Sequence, residues 1–149
     1  MYSPHVVTVY HASENPETLA NEWNITVLDG VFLEVSQGTG SAKDGRENTD
    51  AASLYIPFAV KAVNAVTGEA QTYVPPKQYE KLCDKSRHWT VRAGGTSSQV
   101  DCFFVKGRVA AQTSFQEINR MYDDVYRVGA VDTCDYGSPG MRHWKVSGR

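Results

Sequence analysis

The run Asn24-Ile25-Thr26-Val27-Leu28-Asp29-Gly30-Val31-Phe32-Leu33-Glu34-Val35-Ser36 decides the fold class. Ile25 and Val27 alternate with Asn24 and Thr26, and Val31, Leu33 and Val35 alternate with Phe32, Glu34 and Ser36. A period of two sends successive side chains to opposite faces of a strand, so both halves read as extended chain. Asp29-Gly30 between them is a turn pair that can supply the positive φ of a tight hairpin. The expectation is a β-hairpin closed at Asp29-Gly30.

Working outward toward the start, His5-Val6-Val7-Thr8-Val9-Tyr10 is β-branched and aromatic and reads as a strand. Residues 11–21, polar and containing Pro16, read as a loop. Toward the end, Leu54, Ile56, Phe58 and Val60 repeat every second residue, and Pro57, which lacks an amide proton, suggests an edge or a bulge there. Thr67-Gly68 is a turn, residues 71–74 a short strand, and Pro75-Pro76 opens a short helix running to about Cys83 that is expected to lie on the barrel. Residues 88–92 and 100–105 read as strands, the second with Val100, Cys102 and Phe104 on one face. Ser114-x-x-Glu117 is a capping-box pattern, and Phe115, Ile118, Met121 and Tyr122 follow at helical spacing. Residues 125–134 and 143–146 complete the strands. Eight or nine short strands with one or two short helices give a mainly β chain, a small β-barrel or sandwich forming a single domain over residues 1–149.

Residues 37–52 hold three glycines and almost no large apolar side chain. Such a segment cannot bury enough surface to order itself, so a long mobile loop is expected. Lys43, Asp44, Arg46 and Glu47 within it are candidate contacts for a partner, the alternative being an idle insertion.

With 15 basic and 17 acidic residues, a formal net charge of -2 gives no overall field for nucleic acid or an acidic membrane. The three cysteines, Cys83, Cys102 and Cys134, are widely spaced and lack C-x-x-C, so neither a disulfide framework nor a zinc site is signalled. Met1 to His5 carries no charged leader, and no run approaches the length of a membrane span.

A catalytic or metal site needs convergent groups, and the spacings offer none. His5, His11, His88 and His143 are scattered without a His-x-x-x-His pattern. Asp123-Asp124 reads as a helix-end turn, and the glycines at 38, 40 and 45 form no phosphate-cradling loop. The chain is expected to be no enzyme and to need no cofactor or metal. Two clusters combine basic residues with tryptophan: Lys85, Arg87, His88, Trp89 and Arg92, then Arg142, His143, Trp144, Lys145 and Arg149. The tryptophans are expected to face the core, leaving Arg87, His88, Arg92, Arg142, His143 and Lys145 as candidate DNA-facing or interface residues.

Several stretches carry a family likeness: Val7-Thr8-Val9-Tyr10, Leu28-Asp29-Gly30-Val31-Phe32, Ser53-Leu54-Tyr55-Ile56-Pro57-Phe58, Tyr73-Val74-Pro75-Pro76-Lys77-Gln78-Tyr79, and above all the ending from Val131-Asp132-Thr133-Cys134-Asp135-Tyr136 to His143-Trp144-Lys145-Val146. They resemble a family of small proteins of tailed phages and prophages, from the gene block of head-tail connector and minor capsid proteins. The resemblance, similar to head-closure (neck) proteins, implies a structural virion protein assembled in the host cytoplasm. It implies a ring, hexamer or dodecamer, between an adaptor or portal-side protein and tail proteins, with genomic DNA passing without sequence specificity and no membrane. Minor capsid or decoration, tail-completion and nucleic-acid-binding barrel roles are the alternatives.

Overall fold

In a computed structural model, the structure describes residues 3–14, 21–36, 51–82, 85–93 and 100–148. The chain runs β1 (His5–Glu14), β2 (Asn21–Ser36), β3 (Ala51–Pro57), β4 (Lys61–Asn64), β5 (Thr72–Tyr73), α1 (Pro76–Tyr79), β6 (His88–Trp89), β7 (Cys102–Lys106), α2 (Phe115–Met121), β8 (Val125–Cys134) and β9 (His143–Gly148). Hydrogen bonding passes from β1 through β7, β8, β9, β3 and β2 and back to β1, which closes a six-stranded barrel, with β4 added beside β2. The mainly β class and the two short helices agree with the sequence.

The central hairpin does not. Residues 24–36 belong to one continuous strand, and the hairpin is β1 with β2, running from Glu14 opposite Asn21 back to His5 opposite Val31. Residues 11–14 of the segment expected to be a loop therefore supply the end of β1, and residues 15–20 lie outside the described residues. At Gly30 the register slips, since Val6 faces Asp29 while His5 faces Val31. Gly30 is the extra residue of a bulge, and its φ of +98 is a conformation that a side chain disfavours. The slip keeps Leu28 and Val31, three positions apart, on the same inner face. It also bends the strand: residues 26–29 pair with β4, and residues 32–36 pair with β3. β8 repeats the device, pairing with β7 at residues 125–127 and with β9 from Val128 on, with a slip that passes over Gly129. Two bent strands at opposite corners allow the sheet to close.

The inner core holds Val7, Val9, Leu28, Leu54, Ile56, Phe104, Val128, Trp144 and Val146. A second core forms outside, where Tyr10, Ile25, Phe103 and Val105 are covered by Val109 and by Ile118 of α2. Burial on both faces explains why Cys102-Phe103-Phe104-Val105 has no polar phase. Each large apolar side chain buried under α2 contributes roughly 1.5–3 kcal/mol. Ser114 caps α2 by accepting from the Glu117 amide at 3.5 Å, as the capping pattern implied. Val100 packs in this outer core, away from Cys102 and Phe104, because the chain is not yet in β7 at that point.

Pro57 sits past the last pair that β3 makes with β2 and faces only His143 of β9, so its missing amide costs no ladder bond. Of the expected loop, Ala51 and Ala52 open β3, and residues 37–50, with Lys43, Asp44, Arg46 and Glu47, lie outside the described residues.

Candidate functional site

The polar groups gather at one end of the barrel. Strand alternation continues the inner row Val7, Val9 with His11, and the inner row Leu28 with Thr26 and Asn24. His11 lies opposite both Asn24 and Cys102. Residues 65–82 and 85–93 close this end, carrying Tyr79 and Trp89 to burial. The helix α1 exposes Lys77, Gln78 and Glu80 yet drives Tyr79 into the barrel mouth, so it does more than lie on the wall.

The closure is held by amides. Thr26 Oγ1 donates to Gln71 Oε1 at 2.5 Å, and Gln71 Nε2 donates to Asn24 Oδ1 at 3.2 Å and to the Ser86 carbonyl at 2.7 Å. Asn24 Nδ2 donates to the Tyr79 hydroxyl at 2.8 Å and to the His88 carbonyl at 2.7 Å. These bonds satisfy the loop's own backbone, which an apolar wall would leave unpaired. Next to them, the Tyr79 ring meets His11 edge-on at 4.9 Å. Burial pushes the Tyr79 hydroxyl and the Cys102 thiol each up to about 12. Burial, then the Arg92 guanidinium, pushes His11 down to about 4, with Asp101 opposing. At neutral pH the cysteine is a thiol, the tyrosine protonated and the histidine uncharged, so this set holds the closure and offers no activated nucleophile.

Trp89 and Trp144 both face the core, as expected, and their rings meet at 5.6 Å. The basic residues around them do not share one role. Arg87 is exposed and paired with Glu69 at 3.5 Å, while the carbonyl of His88 is taken by Asn24. Arg92 turns inward, with Asp101 at 3.0 Å and His11 at 3.0 Å, and leaves the candidate surface set for the closure. Arg142 is exposed at the start of β9. His143 and Lys145 are half-buried on the outer face of β9, where an aromatic row crosses the sheet: His5 to Phe32 at 5.6 Å, Phe32 to Tyr55 at 6.0 Å, and Tyr55 to His143 at 5.8 Å. The Lys145 ammonium stands 6.0 Å over the Tyr55 ring. β9 is paired along its whole length with β3, and the connection from β8 to β9 is exposed, presenting Tyr136 and Met141. Among the described residues no three metal-ligating side chains converge, and no helix is long and apolar enough to cross a membrane.

Sequence reasoning missed the polar closure. Asn24, Gln71 and Asp101 lie far apart in the chain, and the alternation of Ile25 and Val27 with Asn24 and Thr26 does not by itself tell that β2 is covered on both faces over residues 25–28. The one available signal was the run Ile25-Thr26-Val27-Leu28, polar only at a threonine, which suits a strand with two covered faces.

A family model matches residues 3–149. The chain belongs to that family, described as a family of unknown function (DUF6751). Membership spans the whole barrel and both helices. No curated protein and no solved structure matches the chain.

Proposed function

We propose that the protein is a non-enzymatic structural subunit of a tailed-phage virion, a head-tail connector (neck) component at the head-closure position. The observation that carries this reading is the closed barrel with an exposed connection between β8 and β9, which presents Tyr136 at 73% and Met141 at 54%. A filled barrel is rigid, and a connection with exposed aromatic and thioether side chains suits a contact with a neighbouring subunit. The resemblance of its stretches to connector-block proteins points the same way. In this reading six or twelve copies form a ring, bound by an adaptor or portal-side protein above and tail proteins below. Genomic DNA passes through without sequence-specific contacts, and residues 37–50 contact a partner. Assembly takes place in the host cytoplasm.

The experiment is a null allele complemented in trans. Without the gene, filled heads and free tails should accumulate unjoined; complementation with residues 38–49 replaced by a short Gly-Ser linker should leave the purified barrel's melting temperature unchanged but fail to restore joining. Intact infectious particles from the null allele would overturn the reading. Fragile but joined heads would favour a minor capsid or decoration role.

A further inference from the structure

Residues 85–93 bring Trp89 and Val91 into the inner core, and Arg92 ties this segment to the barrel wall. Its Nε–H donates to His11 Nε2 at 3.0 Å, while its terminal nitrogens reach the two carboxylate oxygens of Asp101 at 3.3 and 3.0 Å. The first bond fixes the ring's chemistry. Nε2 must present a lone pair, so the proton of the neutral ring sits on Nδ1, which is buried and meets no hydrogen-bond partner among the described residues. Among the described residues, the charged and titratable groups facing His11 are Arg92 and Lys85 from the closing segment, Tyr79 from α1, Asp101 just before β7 and Cys102 at its start. With Tyr79 and Cys102 kept protonated by burial, two cations and one carboxylate among the described residues remain around the ring.

We propose that His11 and Arg92 form an acid-released latch: neutral His11 accepts the Arg92 N–H and holds residues 85–93 in the barrel end, and a proton arriving on Nε2 removes the acceptor and frees the segment. The proton comes from solvent, the only bond formed is Nε2–H, and the Arg92 N–H is returned to water. Protonation would also set imidazolium against guanidinium on a ring that is itself buried. Because the folded form favours the neutral ring, the latch is closed above the ordinary histidine range and opens as pH falls toward about 4. Release would uncover Trp89 while leaving the β2–β3–β9–β8 wall paired.

Two measurements test it. The amides of Thr72 and Val74 donate to the Arg87 and Trp89 carbonyls and so report on the segment. Corrected for intrinsic rates, their hydrogen-exchange protection should fall at least about tenfold relative to β3 amides between about pH 7 and about pH 4. In His11→Gln, whose Oε1 can accept from Arg92 but does not titrate, the fall should vanish. An equal fall in His11→Gln, or loss of β3 protection in step with it, would overturn the latch. Independently of any variant, nitrogen NMR of the wild-type His11 ring should find the Nδ1–H tautomer at neutral pH and a midpoint well below the ordinary range. An Nε2–H tautomer, or ordinary titration, would also overturn it.

Discussion

The bulge at Gly30 and the slip at Gly129 look alike in the pairing diagram, yet one alanine substitution should separate them by sign. Gly30 has φ +98, and a Cβ placed there meets nothing within 4 Å. The cost of Gly30→Ala is therefore backbone strain alone, roughly 1–2 kcal/mol for an L residue in left-handed conformation. For 149 residues, with an unfolding entropy of roughly 2.1 cal/mol/K per residue, that lowers the melting temperature by about 3–6 °C. Gly30→Asn should lose less, because asparagine tolerates this region. Gly129 has no positive φ, and its added Cβ would lie 3.5 Å from the Ser147 carbonyl, an ordinary contact. Gly129→Ala should be neutral or stabilise by about 0.4–1 kcal/mol through the unfolded chain. Calorimetry on the three variants reads the difference directly. Equal destabilisation by both alanines, or a tolerant Gly30, would refute the corner geometry assigned to β2.

Gly148 is the place where steric closure is tightest: an added Cβ would come within 2.9 Å of Phe104 Cε1 and 3.0 Å of the Arg127 carbonyl. Gly148→Ala should cost about 1–3 kcal/mol by urea titration, and partial relief by Phe104→Leu in the double variant would locate the clash. Asn24→Ala should cost about 1–3 kcal/mol, because it strips partners from Gln71, Tyr79 and the His88 carbonyl together. Asn24→Asp should be no better near neutral pH, since a carboxylate cannot donate to that carbonyl, and stability equal to wild type would show the network to be idle.

Much of the barrel was legible because most strands keep one inner face, so Leu54 and Ile56, or Trp144 and Val146, announce themselves by period two. The corner at Gly30 was not, since Asp29-Gly30 suits a hairpin turn and a bulge equally. Only the long-range pairing of His5 with Val31 distinguishes them. His11 misled for a related reason. In sequence it opens a polar stretch, whereas in space Arg92, Tyr79 and Cys102 enclose it from segments that approach only after the barrel closes. The candidate basic set divided along the same line: Arg87 and Arg142 remained on the surface, where a charge stays hydrated, while Arg92 had a carboxylate and an imidazole to meet.

We propose for this protein a place in the virion neck. Gold labelling of a C-terminal tag on purified particles, counted by electron microscopy, tests it most directly. Label concentrated at the junction of head and tail, in a number per particle consistent with one ring, is the expected result. Label spread over the capsid surface, or its absence from particles that carry every other structural protein, would contradict it.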